Sequence, residues 1–332
     1  MKIYRSLAEL PDDAARSVVT IGNFDGVHCG HRAVIASVQE RARTLNAQSI
    51  AVTFDPHPAA LLRPDKAPKL LTPTPVKLEL LAATGLNATL VLPFNEELRH
   101  WTAEHFARTV LSEALGAVEV HEGEEFRFGY DRQGGMATLM DMGRTLGFAA
   151  HPHQPVMARG SAISSSRIRT LLTQDLVTRP QALAEARALL GRSFSVHSTP
   201  AHGRGFGTKY AVPTINIASY SGLLPANGVY VTTLRIGSGE GSRLFRGVTN
   251  AGNRPTFGED SFAVETHLLD FEPLALFEDT PLELTFLLRL RSEQKFDSPD
   301  ALKTQIFRDV KRAQRYFALS DSLSALAHAG QR

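Results

Sequence analysis

Val18-Val19-Thr20-Ile21-Gly22-Asn23-Phe24-Asp25-Gly26-Val27-His28-Cys29-Gly30-His31-Arg32-Ala33 is the stretch that decides the fold. An apolar run stops abruptly at Gly22 and Asn23, two histidines follow three residues apart, and a helical pattern begins. The spacing predicts a buried strand feeding a tight turn into a helix N-terminus. Such a terminus carries unpaired backbone N–H groups and a partial positive charge, which suit a phosphate. Gly26 and Gly30 let the backbone approach a ligand without a Cβ in the way. His28 and His31 fall on one side of the first turn and can face the same anion. Two other readings stand beside this one. Histidines at a turn are often plain surface residues, and a zinc site would need a further ligand at usual spacing, which the sequence does not supply nearby.

Working outward, short apolar runs at 18–21, 50–54, 89–92, 117–120 and 148–151 alternate with helical patterns at 32–45, 75–83, 103–115 and 135–146. Alternation of this kind predicts a parallel sheet covered on both faces, with ligands at the carboxyl ends of its strands. Phe54-Asp55-Pro56-His57-Pro58 ends the second run and forms a stiff loop holding a carboxylate and an imidazole. Gly123 to Gly129 makes a turn with two aromatic residues. Ser161-Ala162-Ile163-Ser164-Ser165-Ser166-Arg167-Ile168-Arg169 places a hydroxyl N-cap before a helix whose first turn is basic. Basic charge there opposes the helix dipole, a cost that an anionic ligand offsets.

A helix is expected over 170–191. The composition then changes to short strands broken by glycine and proline, at 228–236, 244–250, 262–270 and 282–290. Regular turn signals predict a small antiparallel barrel or sandwich. A last amphipathic helix is expected over 299–317, with a frayed tail from residue 318.

At 332 residues the chain has room for two domains, and 43% hydrophobic residues suffice for ordinary cores. A net charge of +2 gives no footprint for nucleic acid or an anionic membrane. One cysteine, Cys29, excludes an internal disulfide framework and fits a reducing compartment. No apolar run reaches membrane-spanning length, and the first residues do not read as a signal peptide. The expectation is a soluble cytoplasmic protein, monomeric or weakly homo-oligomeric, with small-molecule partners.

With these motifs in order, the chain resembles the bacterial bifunctional riboflavin kinase/FAD synthetase family from about residue 18 to 317. The N-terminal half is similar to a Rossmann-like nucleotidyltransferase, through Gly22 to His31, Phe54 to Pro58, Phe126-Arg127-Phe128-Gly129 and Ile163 to Arg169. The C-terminal half is similar to a riboflavin kinase barrel with a C-terminal helix. It does so through Pro213-Thr214-Ile215-Asn216, Gly228-Val229-Tyr230, Asn253-Arg254-Pro255-Thr256, Glu265 to Phe271 and Arg291 to Phe296. The resemblance implies an FMN adenylyltransferase domain over 1–184 and a riboflavin kinase domain over 185–332. It implies riboflavin, FMN and ATP as substrates, with Mg²⁺. ATP phosphates would meet Gly22, Asn23, Phe24, Asp25, Gly26, His28, His31, Ser164, Ser165 and Arg167, with His28 and His31 also catalytic. Thr214 and Asn216 would hold the metal, and Glu265 would be the base for the ribityl hydroxyl. Phe54, Pro56, Phe126, Phe128, Gly203, Gly207, Arg254 and Arg291 are the candidates for flavin or nucleotide contact. The chain departs from the family pattern at 207–212, where an arginine, a glycine and a phenylalanine are missing. A narrower alternative follows from that departure: adenylylation alone, with a barrel that binds flavin without turnover.

Overall fold

The computed structural model describes residues 1–11, 16–174, 179, 181–201, 214–253, 262–270 and 276–329. Gly203, Gly207 and Arg254, and the departing stretch at 207–212, lie outside the described residues. The chain forms two compact units, Met1–Ser165 and Ser166–Arg332.

The first unit is built on a six-stranded parallel sheet. Its strands are β1 (Lys2–Tyr4), β2 (Ser17–Ile21), β3 (Gln48–Asp55), β4 (Ala88–Pro93), β5 (Ala117–Gly123) and, after a short hairpin of β6 (Arg127–Phe128) and β7 (Gly134–Gly135), β8 (Ala149–His153). Their order is β1-β4-β3-β2-β5-β8. The chain winds outward from β2 through β3 to β4, then returns to the other side through β5 and β8. The direction of winding reverses between β2 and β5, the place where such sheets open a crevice for ligands. All five expected strands are present, each one to three residues longer than its apolar run, and the last begins one residue later, at Ala149. The edge strand β1 was not expected, because three residues of which none is fully buried carry no periodic signal.

Cover on both faces of the sheet explains why every residue of β2 is buried. Val19 and Ile21 join the core under Phe106, Val110 and Leu139, while Val18 joins Ile35, Val38 and Leu81 on the opposite face. The helices are α1 (Cys29–Thr44), α2 (Pro58–Leu62), α3 (Thr74–Ala82), α4 (Glu96–Arg99), α5 (Ala103–Phe106) and α6 (Met136–Leu146). The single helix expected at 103–115 is instead α5 continued by a wider π-type stretch, Ala107–Ala114. A small antiparallel pair, β9 (Met157–Ala158) and β10 (Ser161–Ala162), closes the unit.

The second unit begins with α7 (Ser165–Thr173, its first residue in the first unit) and α8 (Ala182–Leu190), which replace the one helix expected at 170–191. Six antiparallel strands follow: β11 (Phe194–Ser198), β12 (Thr214–Asn216), β13 (Gly228–Ile236), β14 (Arg243–Asn253), β15 (Phe262–Leu269) and β16 (Leu282–Arg291). Their order is β11-β16-β13-β14-β15-β12. The two outer strands meet through a bridge between Pro200 and Ile217 and through the N–H of Ala201, which donates to Asn216 O at 2.8 Å. The sheet therefore curls round on itself, which satisfies its edges. Among its buried side chains are Tyr230, Leu234, Leu268 and Phe286. The hydroxyls of Thr232, Thr249 and Thr266 form a buried chain at 2.7 and 2.9 Å across three strands.

The C-terminal helix runs Pro299–Ala329, further than the expected end at 317, so the frayed tail expected from 318 is corrected. Its Ala313 and Phe317 pack on Val229, Val231 and Val248. Beyond that contact, Arg246 pairs with Asp321 at 2.7 Å and gives the last turns a tie to the barrel.

Candidate active sites

The loop after β2 is pinned from three sides. Phe24 and Val27 adopt left-handed backbone, with φ of 48° and 37°, alongside Gly26 at 84°. Such a conformation costs a non-glycine residue about 1 kcal/mol or more. It persists because Phe24 and Val27 are buried in the core beneath α1. Asp25 is buried too, and its carboxylate accepts from the N–H groups of Leu71 and Thr72, both at 3.0 Å. The Gly26 N–H donates to Thr72 Oγ1 at 3.0 Å. Ser165 Oγ donates to the Asp25 carbonyl at 2.8 Å, bringing the serine segment back onto the loop.

The two histidines are stacked at the start of α1, ring centroids 3.6 Å apart and 16° from parallel. His28 is the N-cap, its Nδ1 accepting from the His31 N–H at 3.3 Å. A Cβ on Gly30 would stand 3.2 Å from the His28 ring, so a residue without one lets the imidazole lie over the helix start. The His31 ring meets Phe24 edge-on at 5.2 Å, and its Nδ1 is buried without a hydrogen-bond partner among the described residues. Burial first, and the neighbouring His28 second, push the His31 pKa well below the ordinary imidazole range. His31 is therefore neutral at pH 7, with a ring nitrogen free to meet a ligand.

Glu122, on β5 at the reversal point, holds the end of β2. Its carboxyl accepts from the Ile21 N–H and, at 3.2 Å, from Thr20 Oγ1. Burial pushes its pKa up to about 8, so it is protonated at neutral pH. The sequence marks it only as a polar residue late in a strand. Lys77 also escapes the sequence reading, since a lysine on a helix is usually solvated. Here it is buried, and its Nζ donates to Thr53 Oγ1 at 3.0 Å and to the Phe54 carbonyl at 3.1 Å. Burial lowers its pKa. A hollow at the ends of β2 and β3 is lined by Asn23, Asp25, Phe54, His57, Thr72, Thr74 and Lys77.

Of the remaining expected contacts, Gly22 donates its N–H to Val52 O at 2.9 Å, and Asn23 is exposed. Phe54 is half-buried against Phe94, Pro56 is exposed, and His57 caps α2 by accepting from the Ala59 N–H at 3.1 Å. Phe126 and Phe128 stack at 5.2 Å, and Phe128 is buried against Phe106. Ser164 lies in the first unit with Ser165, and Arg167 falls in the second.

In the barrel, β12 and β15 pair so that Thr214 faces His267 and Asn216 faces Glu265. Directly opposed residues share a face, as do residues two apart, so Thr214, Asn216, Glu265 and His267 project from one side of the sheet. Asn250 of β14 also lies opposite Glu265 and extends the polar row. Glu265 and Asn216 are half-buried. Arg291 Nε donates to Asp309 Oδ2 at 2.9 Å, and Gln305 donates to Oδ1 at 3.0 Å. Asp309 is only 2% exposed, a buried anion on the C-terminal helix that its sequence context does not announce.

These two sets of residues, an imidazole pair at a helix start and an oxygen-rich row on a barrel, lie in separate units and are of the types that phosphate-transfer chemistry uses. The family model for FAD synthetase matches residues 10–167, and that for riboflavin kinase matches residues 190–317. A bifunctional riboflavin kinase/FMN adenylyltransferase of Pseudomonas fluorescens is 36% identical, covering 96% of this chain and 99% of the relative. The Escherichia coli K12 protein of the same description is 34% identical over the same shares. A solved structure described as a macrolide-efflux protein from Streptococcus pneumoniae matches with a TM-score of 0.80 over 94% of this chain and 98% of its own. At 24% identity that likeness shows the fold. The chain belongs to the bifunctional riboflavin kinase/FMN adenylyltransferase family, and it is an enzyme, a kinase and a nucleotidyltransferase in one polypeptide. Both family models match, so the narrower alternative of adenylylation alone is not favoured. No helix among the described residues is long and apolar enough to cross a membrane.

Proposed function

We propose a division of labour between the two sites: FMN adenylylation at the His28/His31 turn and riboflavin phosphorylation on the Thr214–Glu265 face. In functional terms the first domain is taken as 1–184 and the second as 185–332. In the first reaction an oxygen of the FMN phosphate attacks the α-phosphorus of ATP, and pyrophosphate leaves. No protein nucleophile is needed, so catalysis rests on positioning and charge stabilisation. The α1 N-terminus and the two imidazoles supply these, with Ser164, Ser165 and Arg167 as further phosphate contacts. The observation that carries this reading is the buried, unpartnered His31 Nδ1 beside the His28 cap.

In the second reaction the terminal ribityl hydroxyl attacks the γ-phosphorus of ATP, ADP leaves, and Glu265 accepts the hydroxyl proton. Thr214 and Asn216 present only oxygen donors on the face that carries Glu265, a donor set that fits Mg²⁺. Bound there, the cation would neutralise phosphate charge. The cytoplasm, where ATP and riboflavin are both available, is the compartment that fits these reactions. Replacing Glu265 by Gln tests the assignment. FMN formation from riboflavin should fall at least 100-fold, while FMN supplied directly is still converted to FAD. An unchanged kinase rate refutes the role given to Glu265.

A further inference from the structure

Away from both sites, β5 and the edge strand β8 carry a cluster that the two reactions leave unused. Glu119 and His121 are two apart on β5 and share a face, and His151 of β8 lies directly opposite His121. The Nε2 of His121 lies 3.1 Å from Glu119 Oε2, and the Nε2 of His151 lies 3.7 Å from Glu119 Oε1. The three donor atoms all fall within 4.8 Å of one another. Ligands of a tetrahedral zinc ion at ordinary bond lengths stand roughly 3.4 Å apart, close to the two distances at Glu119.

We propose that Glu119, His121 and His151 form a binding site for a divalent transition-metal ion of the zinc class, with a water as fourth ligand. Three observations beyond proximity support it. Glu119 and His121 are buried, unlike the exposed acidic groups that cluster without binding anything. His151 Nε2 is buried and has no hydrogen-bond partner among the described residues. The supporting contacts of a metal site are also in place. Arg41 grips both oxygens of Glu119 from outside, at 2.9 and 2.5 Å, and so orients the carboxylate. His121 Nδ1 lies 2.9 Å from His153 Nε2, and a proton donated along that contact leaves His121 Nε2 as the ligating lone pair. Two imidazoles and one carboxylate suit zinc better than magnesium, which prefers oxygen. An ion held here bridges the edge strand to its neighbour.

Equilibrium dialysis of the full chain against Zn²⁺, with ATP and Mg²⁺ absent, tests this. His151→Ala changes a half-exposed edge residue and should bind one equivalent of zinc fewer than the parent chain, with FAD formation unchanged. Zinc should raise the Tm of the parent by several degrees, and this gain should be smaller in His151→Ala. His28→Ala/His31→Ala should keep the equivalent that His151→Ala loses, which separates this site from the phosphate turn. Equal zinc in the parent and in His151→Ala, or no zinc bound by the parent, overturns the proposal.

Discussion

Ring-on-ring contact between His28 and His31 means that protonating one opposes protonating the other, and burial adds to this for His31. His31 therefore offers a neutral imidazole at a helix start, the surface proposed to meet phosphate. His28 has two duties, since its Nδ1 also caps α1. His28→Ala should thus cost about 1 kcal/mol of stability from the lost cap, read as a lowered Tm, in addition to a fall in FAD formation. His31→Ala, which removes no cap, should lower FAD formation with a smaller change in Tm. Glu122 offers a test by pH. Its pKa is about 8 folded against an ordinary value near 4.5, so between those values the folded state binds more protons than the unfolded. Its contribution to stability therefore declines as pH rises through that window. Glu122→Gln keeps an acceptor for the Ile21 N–H and removes the titration. The Tm of Glu122→Gln minus that of the parent should grow from pH 5 to pH 8; parallel curves would contradict the protonated state.

At the scale of elements, the C-terminal helix shows how burial converts a surface-looking sequence into a structural tie. Phe317 is 6% exposed against Val229 and Val231, and the Arg246 guanidinium lies 4.9 Å over its ring. Phe317→Ala should destabilise the barrel unit by about 3 kcal/mol or more, measured by denaturant unfolding. Asp309→Ala would leave Arg291 half-buried without its partner, at a cost of about 3 kcal/mol. It should reduce FMN formation while FAD formation from supplied FMN persists. The sheet strands were legible because period-two and continuous apolar runs follow directly from burial on one or both faces. The helix beyond residue 317 was not, because Leu319, Leu323 and Leu326 are exposed and its later turns bury little. Edge strand β1 was missed for the same reason. The histidine turn was readable since glycine and histidine spacing encodes a helix start. The buried partners of the site were hidden: Lys77 and Glu122 read as ordinary charged residues until tertiary packing encloses them, and Asp309 reads as a helix surface acid. No local pattern distinguishes a charge that folding will bury from one that stays in water.

Across the whole molecule, adenylylation and phosphorylation are proposed to use separate sites, each with its own means of holding phosphate. One uses a helix N-terminus and imidazoles at the reversal point of a parallel sheet. The other uses hydroxyl, amide and carboxylate oxygens in register on a closed antiparallel sheet. The family match spans both, and the polar row of Thr214, Asn216 and Glu265 is set by strand pairing alone. Losing the first site should therefore leave the second working, and the intermediate should accumulate. The decisive measurement is chromatographic product analysis of the full chain carrying His28→Ala and His31→Ala, given riboflavin, ATP and Mg²⁺. The account predicts FMN at close to the parent rate and no FAD; FAD formed at the parent rate, or FMN and FAD lost together in a folded protein, would contradict it.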